Sequence, residues 1–451
     1  MTVTAASGQP PLNPLLSSAI LPTLVRLSWP NIVALSATSL VAIAETSYIG
    51  ILGTEPLAAM AFVFPMIMMT QMMSSGAMGG GVSSAISRAL GAGDDVRARA
   101  LAMHALMIGI AGGLLFTVVF LSLGPALYRL LGGRDGVLQQ ALLYSNTFFT
   151  GVIVIWLLNT LASIVRGTGN MKVPSLTYVG IAAAQIAVGG ALSLGLGPVP
   201  RFGIAGVAFG QLAAFGLGAL FLFWLLTSRS RLRIGFDGVR FKWEMFRDIL
   251  KVGALACLSA LLSVVTILTL ARFVARFGTD ALAGYGIGAR LEFLLVPVAF
   301  GVGVACVPMV GMAIGAGDIA RARRVAWTGS ALSAGVILIL TVIITIFPDL
   351  WVALFTDSRG VRASTYAYLK LAAPGFPFFG LGLCLYFASQ GSGDVRGPVL
   401  AAVLRFLVVV SGAVVLGQLG TPVEALFALV GLAMVVYGAT AATTVHRAKW
   451  G

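Results

Sequence analysis

One carboxylate lies deep inside an apolar stretch. In "SLVAIAETSYIGIL", residues 39–52, Glu45 precedes the next glycine, Gly53, by ~12 Å of helix. Taking a carboxylate into hydrocarbon costs roughly 2.5–3.5 kcal/mol at mid-bilayer and less off-centre. Glu45 must therefore be hydrogen-bonded inside the protein or face water. Asn31, Thr38, Glu45 and Tyr48 share one face of a helix by their spacing. A polar stripe on an otherwise apolar helix is expected to face the interior of a bundle. Desolvation favours the neutral form of a carboxyl, so Glu45 is expected to exchange a proton as its access to water changes. The alternative is a permanently protonated Glu45 that only ties its helix to a neighbour.

A second acid, Glu292 in "GARLEFLL", also falls within an apolar run, two residues after Arg290. Such a spacing does not bring helical side chains face to face, so Arg290 should find its partner on another helix. For Glu292, a structural charge pair and a role in an ion path stand level. The other acids fall in loops or at the ends of apolar runs. Gln71, Asn159, Gln185 and Gln211 either line a polar interior or tie helices together. Arg405 lies near a run's end and is expected to snorkel toward the cytoplasmic surface. The methionine-rich "MIMMTQMM" (66–73) reads as packing, in a form that also suits a promiscuous pocket.

Several chemistries are excluded. There are two histidines, His104 and His446, and three cysteines, Cys257, Cys306 and Cys384, none in C-x-x-C spacing. Neither a zinc site nor a disulfide framework follows. The phosphate-cradling G-x-x-x-x-G-K-[ST] loop is absent. Nothing clusters as a nucleophile with its base, so no enzyme and no cofactor is expected.

The elements that position these residues follow from composition. The chain is 59% hydrophobic and 10% charged, with 56 glycines and a mean hydropathy of +1.00. That is more apolar surface than one core can bury, so the excess must face lipid. The fold class is all-α, a polytopic membrane protein of twelve transmembrane helices. The spans read as 24–52, 57–83, 99–122, 138–164, 174–197, 203–227, 252–276, 281–312, 325–347, 364–389, 398–418 and 424–444. The net charge of +14 does not indicate nucleic acid, because the basic residues are spread over short loops. With the N-terminus inside, cytoplasmic loops and termini hold more than twice as many Lys and Arg as the outer loops. Both termini are therefore expected in the cytoplasm. The opening "MTVTAASGQPPLNPLLSSAI" lacks a charged n-region, so no cleaved signal peptide is read.

The sequence repeats itself. "RALGAGDDVRARA" (88–100) is echoed by "MAIGAGDIARARR" (312–324), and "RGTGNMKVP" (166–174) by "QGSGDVRGP" (390–398). "GTEPLAA" (53–59) and "GTDALAG" (278–284) form a third pair at nearly the same offset. An even number of spans per repeat makes the halves parallel, related by an axis along the membrane normal. The domains are a six-helix lobe at 1–227, a cytoplasmic linker at 228–251 and a second six-helix lobe at 252–451. "FKWEMFRDILK" within the linker is suited to a short interfacial helix. Parallel six-helix repeats suggest a secondary transporter with its substrate between the halves.

The G-A-G-[DN]-x-x-x-A-R pattern in both halves resembles the multidrug and toxic compound extrusion (MATE) family. So do the R-G-x-G-[ND]-x-x-x-P turn, with Gln390 for Arg in the second copy, and "LKLAAPGFPF" (369–378). The resemblance covers nearly the whole chain. It implies a proton- or sodium-driven exporter of organic, often cationic, compounds, with two lobes facing a central cavity. In "AETSYIG", Glu45 stands where the family typically has an aspartate near its cation site. Gln185 matches a fifth-span Asn, Gly189 replaces an Asp, and Gln211 replaces a sixth-span Thr. Acids of the NorM-like branch fall near Ser263 and Phe379, so the chain sits nearer the DinF-like branch, whose first lobe carries the coupling site.

The expected function is a multidrug exporter working by cation antiport in the bacterial inner membrane, monomeric and surrounded by lipid. A lone carboxylate favours a proton over sodium, because sodium prefers several oxygen ligands. The alternative is a flippase for a lipid-linked sugar or other amphiphile. A basic central cavity would be needed for that, whereas only Arg290 and Arg405 lie within spans. Glu45 has no acidic counterpart in the second half, where Thr269 or Leu270 takes its place.

Overall fold

The structure is a computed structural model and describes residues 14–229, 232–235 and 240–450. The signal-peptide reading, the basic Arg231 and the acidic Asp237 fall largely or wholly outside the described residues. Among the described residues the chain is helical and contains no strand. The first six spans are α1 (Ile20–Leu52), α2 (Thr54–Gly91), α3 (Asp95–Leu130), α4 (Asp135–Thr150 with Val152–Gly167), α5 (Lys172–Leu194) and α6 (Ile204–Ser228). The second six are α7 (Trp243–Phe277), α8 (Thr279–Gly315), α9 (Ile319–Ile346), α10 (Arg359–Ser392), α11 (Arg396–Gln418) and α12 (Val423–Arg447). Eleven are long and apolar enough to cross a bilayer unbroken, and α4 makes the twelfth crossing with a 49° bend. The bend falls at Gly151, where a Cβ would come within 2.5 Å of Leu212 on α6. Glycine there lets the two helices approach.

The repeated motifs fold alike. Gly93 and Gly317 both take positive φ, 75° and 77°, a conformation glycine adopts without steric cost. The next residue caps the following helix: Asp94 accepts from the Arg97 backbone N–H at 2.8 Å, and Asp318 does the same for Arg321. Gly169 and Gly393 form a second matched pair at φ 89° and 86°. G-A-G-D is therefore a helix stop followed by a helix start. Its recurrence reflects one turn used twice.

Residues 243–251 correct the reading of a separate interfacial helix. They are the first turns of α7, which runs on from Trp243 without interruption. No proline or turn-forming cluster interrupts the sequence there, so helix hydrogen bonding propagates into the span. The linker is held instead at its end, where the backbone N–H of Lys242 donates to His104 Nε2 at 2.9 Å.

One apolar core fills α2–α6 of the first lobe. Others fill the second, where Leu15 and Leu24 from the start of the chain also pack. Among the described residues, the ion pairs between the lobes lie toward the end of the bundle that carries the basic loops. Arg88 and Arg97 both bind Asp248, at 2.6 and 3.2 Å. Ser84 donates to the Gln390 carbonyl, and Arg321 donates to the carbonyls of Leu15 and Ser18. Glycines allow this closeness: a Cβ at Gly81 would sit 2.8 Å from the Gly253 nitrogen, and one at Gly301 would sit 2.6 Å from Ile32. The lobes are thus clasped at the basic end.

Candidate functional site

The face of α1 carrying the polar stripe packs mainly on α5. Gln185 Nε2 donates to Glu45 Oε1 at 2.7 Å. One turn further, the Tyr48 hydroxyl donates to the Ile186 carbonyl at 3.3 Å. Its ring lies over Gly190, where a Cβ would come within 3.0 Å of the ring carbon bearing the hydroxyl. Deeper in, Ser175 Oγ donates to Asn31 Oδ1 at 3.0 Å, and Asn31 Nδ2 donates to the Leu27 carbonyl. Asn31 is buried and its polar groups are engaged, so it joins α1 to α5. Thr38, on the same face, is exposed, and its hydroxyl bonds back to the Leu35 carbonyl of its own helix at 2.6 Å.

Glu45 itself is half-buried, with a neutral amide as its partner. In the same lobe the Tyr144 hydroxyl on α4 donates to Gln211 Oε1 on α6 at 3.3 Å. One hydrogen bond thus joins α1 to α5, through Glu45 and Gln185, and another joins α4 to α6, through Tyr144 and Gln211. Tyr144 was not among the sequence candidates, because an aromatic in an apolar run carries no signal of a polar role. No cation comes within ion-pair distance of Glu45 among the described residues. A carboxyl held this way can bind or lose a proton without breaking an ion pair.

A second polar knot lies deeper in the same lobe. Asn159 is fully buried and donates from Nδ2 to Gln71 Oε1 at 3.1 Å and to Ser74 Oγ at 2.7 Å. Its Oδ1 accepts from the Tyr178 hydroxyl. Both amide hydrogens and the carbonyl are used, so Asn159 ties α2, α4 and α5 together. Gln71 and Ser74 reach it where α2 widens into a π-helical turn, Met72–Met78, a feature that often marks functional sites. The methionine run concealed that turn in the sequence.

In the second lobe, Tyr368 on α10 donates to Glu292 Oε1, and among the described residues no cation lies within ion-pair distance of that carboxyl. Arg405 corrects the snorkelling expectation. Its guanidinium lies 5.1 Å from the Phe379 ring centre and 5.9 Å from that of Tyr437, with Nε buried and unpaired. Two aromatic faces hold the cation in the lobe interior. Arg290 does turn to another segment, where it lies 5.5 Å from the centre of the Phe355 ring. Its partner is a π face rather than an acid. Among the described residues, no cluster of three His, Cys, Asp or Glu could hold a metal ion.

The profile of the MatE family matches residues 30–190 and 256–415, one block in each lobe. The probable multidrug resistance protein NorM of Deinococcus radiodurans is 31% identical over an alignment of 379 positions that covers 79% of each chain. The "FAD transporter" of Shewanella oneidensis is 28% identical over 280 residues. That match spans 60% of the present chain and 60% of the relative's length. A solved MOP superfamily transporter from Pyrococcus furiosus superposes with a TM-score of 0.88 at 22% identity. It covers 96% of this chain and 98% of its own, a likeness of fold.

Proposed function

The chain belongs to the MatE family, whose members are multidrug efflux transporters rather than enzymes, and from that premise we propose how it is driven. It is a proton-coupled antiporter of small organic compounds, cationic ones included, and Glu45 carries the coupling proton. The observation that supports this most directly is the Glu45–Gln185 hydrogen bond without a cationic partner nearby. An amide can donate to a carboxylate and can also accept from a carboxylic acid after a small rotation. Both protonation states of Glu45 therefore have a partner. The charge can change without orphaning a buried group, which would cost about 1–3 kcal/mol or more.

The lobes would exchange access by rocking about the contacts at the basic end. With that end cytoplasmic, as charge asymmetry favours, the clasped state opens to the outside. Protonation of Glu45 from outside would then favour release of cargo, and loss of the proton inside would reset the carrier. Proton coupling is favoured over sodium because the Glu45 site gathers one carboxylate and neutral amides. The proposed setting is the bacterial inner membrane, as a lipid-embedded monomer with cytoplasmic termini. The "FAD transporter" among the relatives makes an aromatic anion worth including among test cargoes. A flippase for a lipid-linked sugar has less support, since Arg290 and Arg405 each rest on aromatic rings of the second lobe.

The deciding experiment is substrate uptake or efflux in proteoliposomes with a pH gradient and a sodium gradient imposed separately. Transport driven by the pH gradient alone, and lost in Glu45→Gln, is the expected result. Transport driven only by sodium would overturn proton coupling.

A further inference from the structure

The basic end of the bundle follows the repeat closely. α2 and α8 cross there at two glycines: a Cβ at Gly91 would run into the Met312 carbonyl oxygen, and one at Gly315 into that of Arg88. Gly91 and Gly315, Arg88 and Met312, and Arg97 and Arg321 are repeat-related pairs. On one side of the crossing, Arg88 and Arg97 of the first lobe hold Asp248 near the start of α7. On the other side, their equivalents Met312 and Arg321 hold the short stretch of chain that precedes α1.

That stretch begins with a single helical turn, Pro14–Ser17. Ala19, in an extended conformation at φ −57° and ψ 134°, separates it from α1. Arg321 is 8% exposed. It donates from Nε and Nη2 to the Leu15 carbonyl at 3.1 and 2.9 Å, and from Nη2 to the Ser18 carbonyl at 2.6 Å. The Leu15 side chain is 6% exposed and packs in one core with Met312, Ala313 and Ala322 of the second lobe. The first lobe closes over it at Gly169, where a Cβ would come within 2.6 Å of Leu15 Cδ1. Leu15 is therefore a wedge that touches both lobes.

The two sides of the crossing thus differ in what joins the lobes. One side uses ion pairs to a residue of a spanning helix. The other uses an apolar side chain and two carbonyls on a segment outside the spans. When the lobes part at this end, Leu15 cannot keep both Gly169 and the seat beside Met312 and Arg321. Leaving the segment half-seated would strip either the leucine or the guanidinium of its partners. Withdrawal of the whole segment gives the Arg321 donors and both carbonyls to water, where each finds new hydrogen bonds.

We propose that Pro14–Ser18 is a latch: seated, it holds the lobes together at the basic end, and its withdrawal permits opening to that side. The inference rests on the rocking of the lobes proposed above and not on the role of Glu45.

The test measures the distance between the lobes in the purified full-length chain in nanodiscs, in acidic and in alkaline buffer. Spin labels at Val96 and Ala320, exposed repeat-related positions one in each lobe, report it by double electron–electron resonance. Cys257, Cys306 and Cys384 are replaced by Ala in this background. Wild type should show a dominant short distance and a minor longer one. Leu15→Ser and Arg321→Met should each raise the ratio of long to short about tenfold, the effect of losing one hydrogen bond to a charged group or the burial of one leucine. Arg323→Met is the control, because Arg323 donates to the Ala448 carbonyl at 2.6 Å and not to the latch. Its ratio should match wild type. If Arg321→Met does not fold, Leu15→Ser against the control carries the test. Two distances in wild type with an unchanged ratio in Leu15→Ser would overturn the latch and leave the rocking motion standing, as would an equal rise in Arg323→Met. A single distance in wild type and in every variant, in both buffers, would overturn the rocking motion and the latch with it.

Discussion

In the first lobe Glu45 accepts one hydrogen bond from the neutral Gln185 and is half-buried. In the second, Glu292 accepts from the Tyr368 hydroxyl. Both lobes descend from one repeated plan, with the same turns and the same capping aspartates. Their carboxyls nevertheless meet different donors, an amide in the first lobe and a phenol in the second. We expect the change of charge that drives transport in the first lobe, where Glu45 has no acidic counterpart at the equivalent position of the second.

The strongest way to break this contrast is Glu45→Gln, which keeps volume and hydrogen bonding but fixes the charge at zero. The folded variant should lose gradient-driven transport down to the level of protein-free liposomes. Glu45→Asp should retain part of the activity. Folded Glu45→Gln protein that pumps at the wild-type rate would return Glu45 to a purely structural tie. Gln185→Leu comes next. Removing a hydrogen bond to a charged group costs roughly 1.5–3 kcal/mol, so transport should fall about tenfold or more while the protein still folds.

The clasp offers a third perturbation, acting between the lobes rather than within one. Asp248→Asn weakens both arginine contacts. Spin labels placed at the basic end should report a several-fold gain in separated lobes, and an unchanged distance distribution would show that the glycine contacts alone hold the clasp. Glu292→Gln should have a smaller effect on transport and act mainly by lowering the unfolding temperature. Loss of transport equal to that of Glu45→Gln would erase the proposed difference between the lobes.

The smallest expected effect concerns the repeated turn. Asp394 in the second lobe is bonded by the Arg396 guanidinium at 2.8 and 2.9 Å. That bond holds its carboxyl below the usual range, whereas the first lobe has the non-titrating Asn170 at the equivalent position. A depressed acid stabilises the fold above its unfolded pKa, about 3.9, and the contribution is lost as pH falls through the lower folded value. Asp394→Asn should therefore flatten the acid limb of the unfolding midpoint slightly. A variant with the wild-type acid limb would show that this turn does not report pH.

Much of this architecture is local and was legible in the residues. Apolar runs of spanning length mark the helices, because backbone polar groups must be paired within hydrocarbon. The recurring G-A-G-D and G-x-G-[ND] turns announce two copies of one plan, because a positive φ and a helix cap demand particular residues. Glu45 stands out because charge in an apolar run is rare and costly. Tertiary structure alone decided who meets whom. Arg405 turns inward because Phe379 and Tyr437 face it from other helices, and Thr38 stays exposed although it shares a face with Glu45. Asn159 becomes a knot, and Tyr144 meets Gln211, through partners tens of residues away. Helical periodicity specifies a side chain's direction on its own helix. Its partner depends on how neighbouring helices cross, which glycines such as Gly151 and Gly190 permit and no single segment encodes.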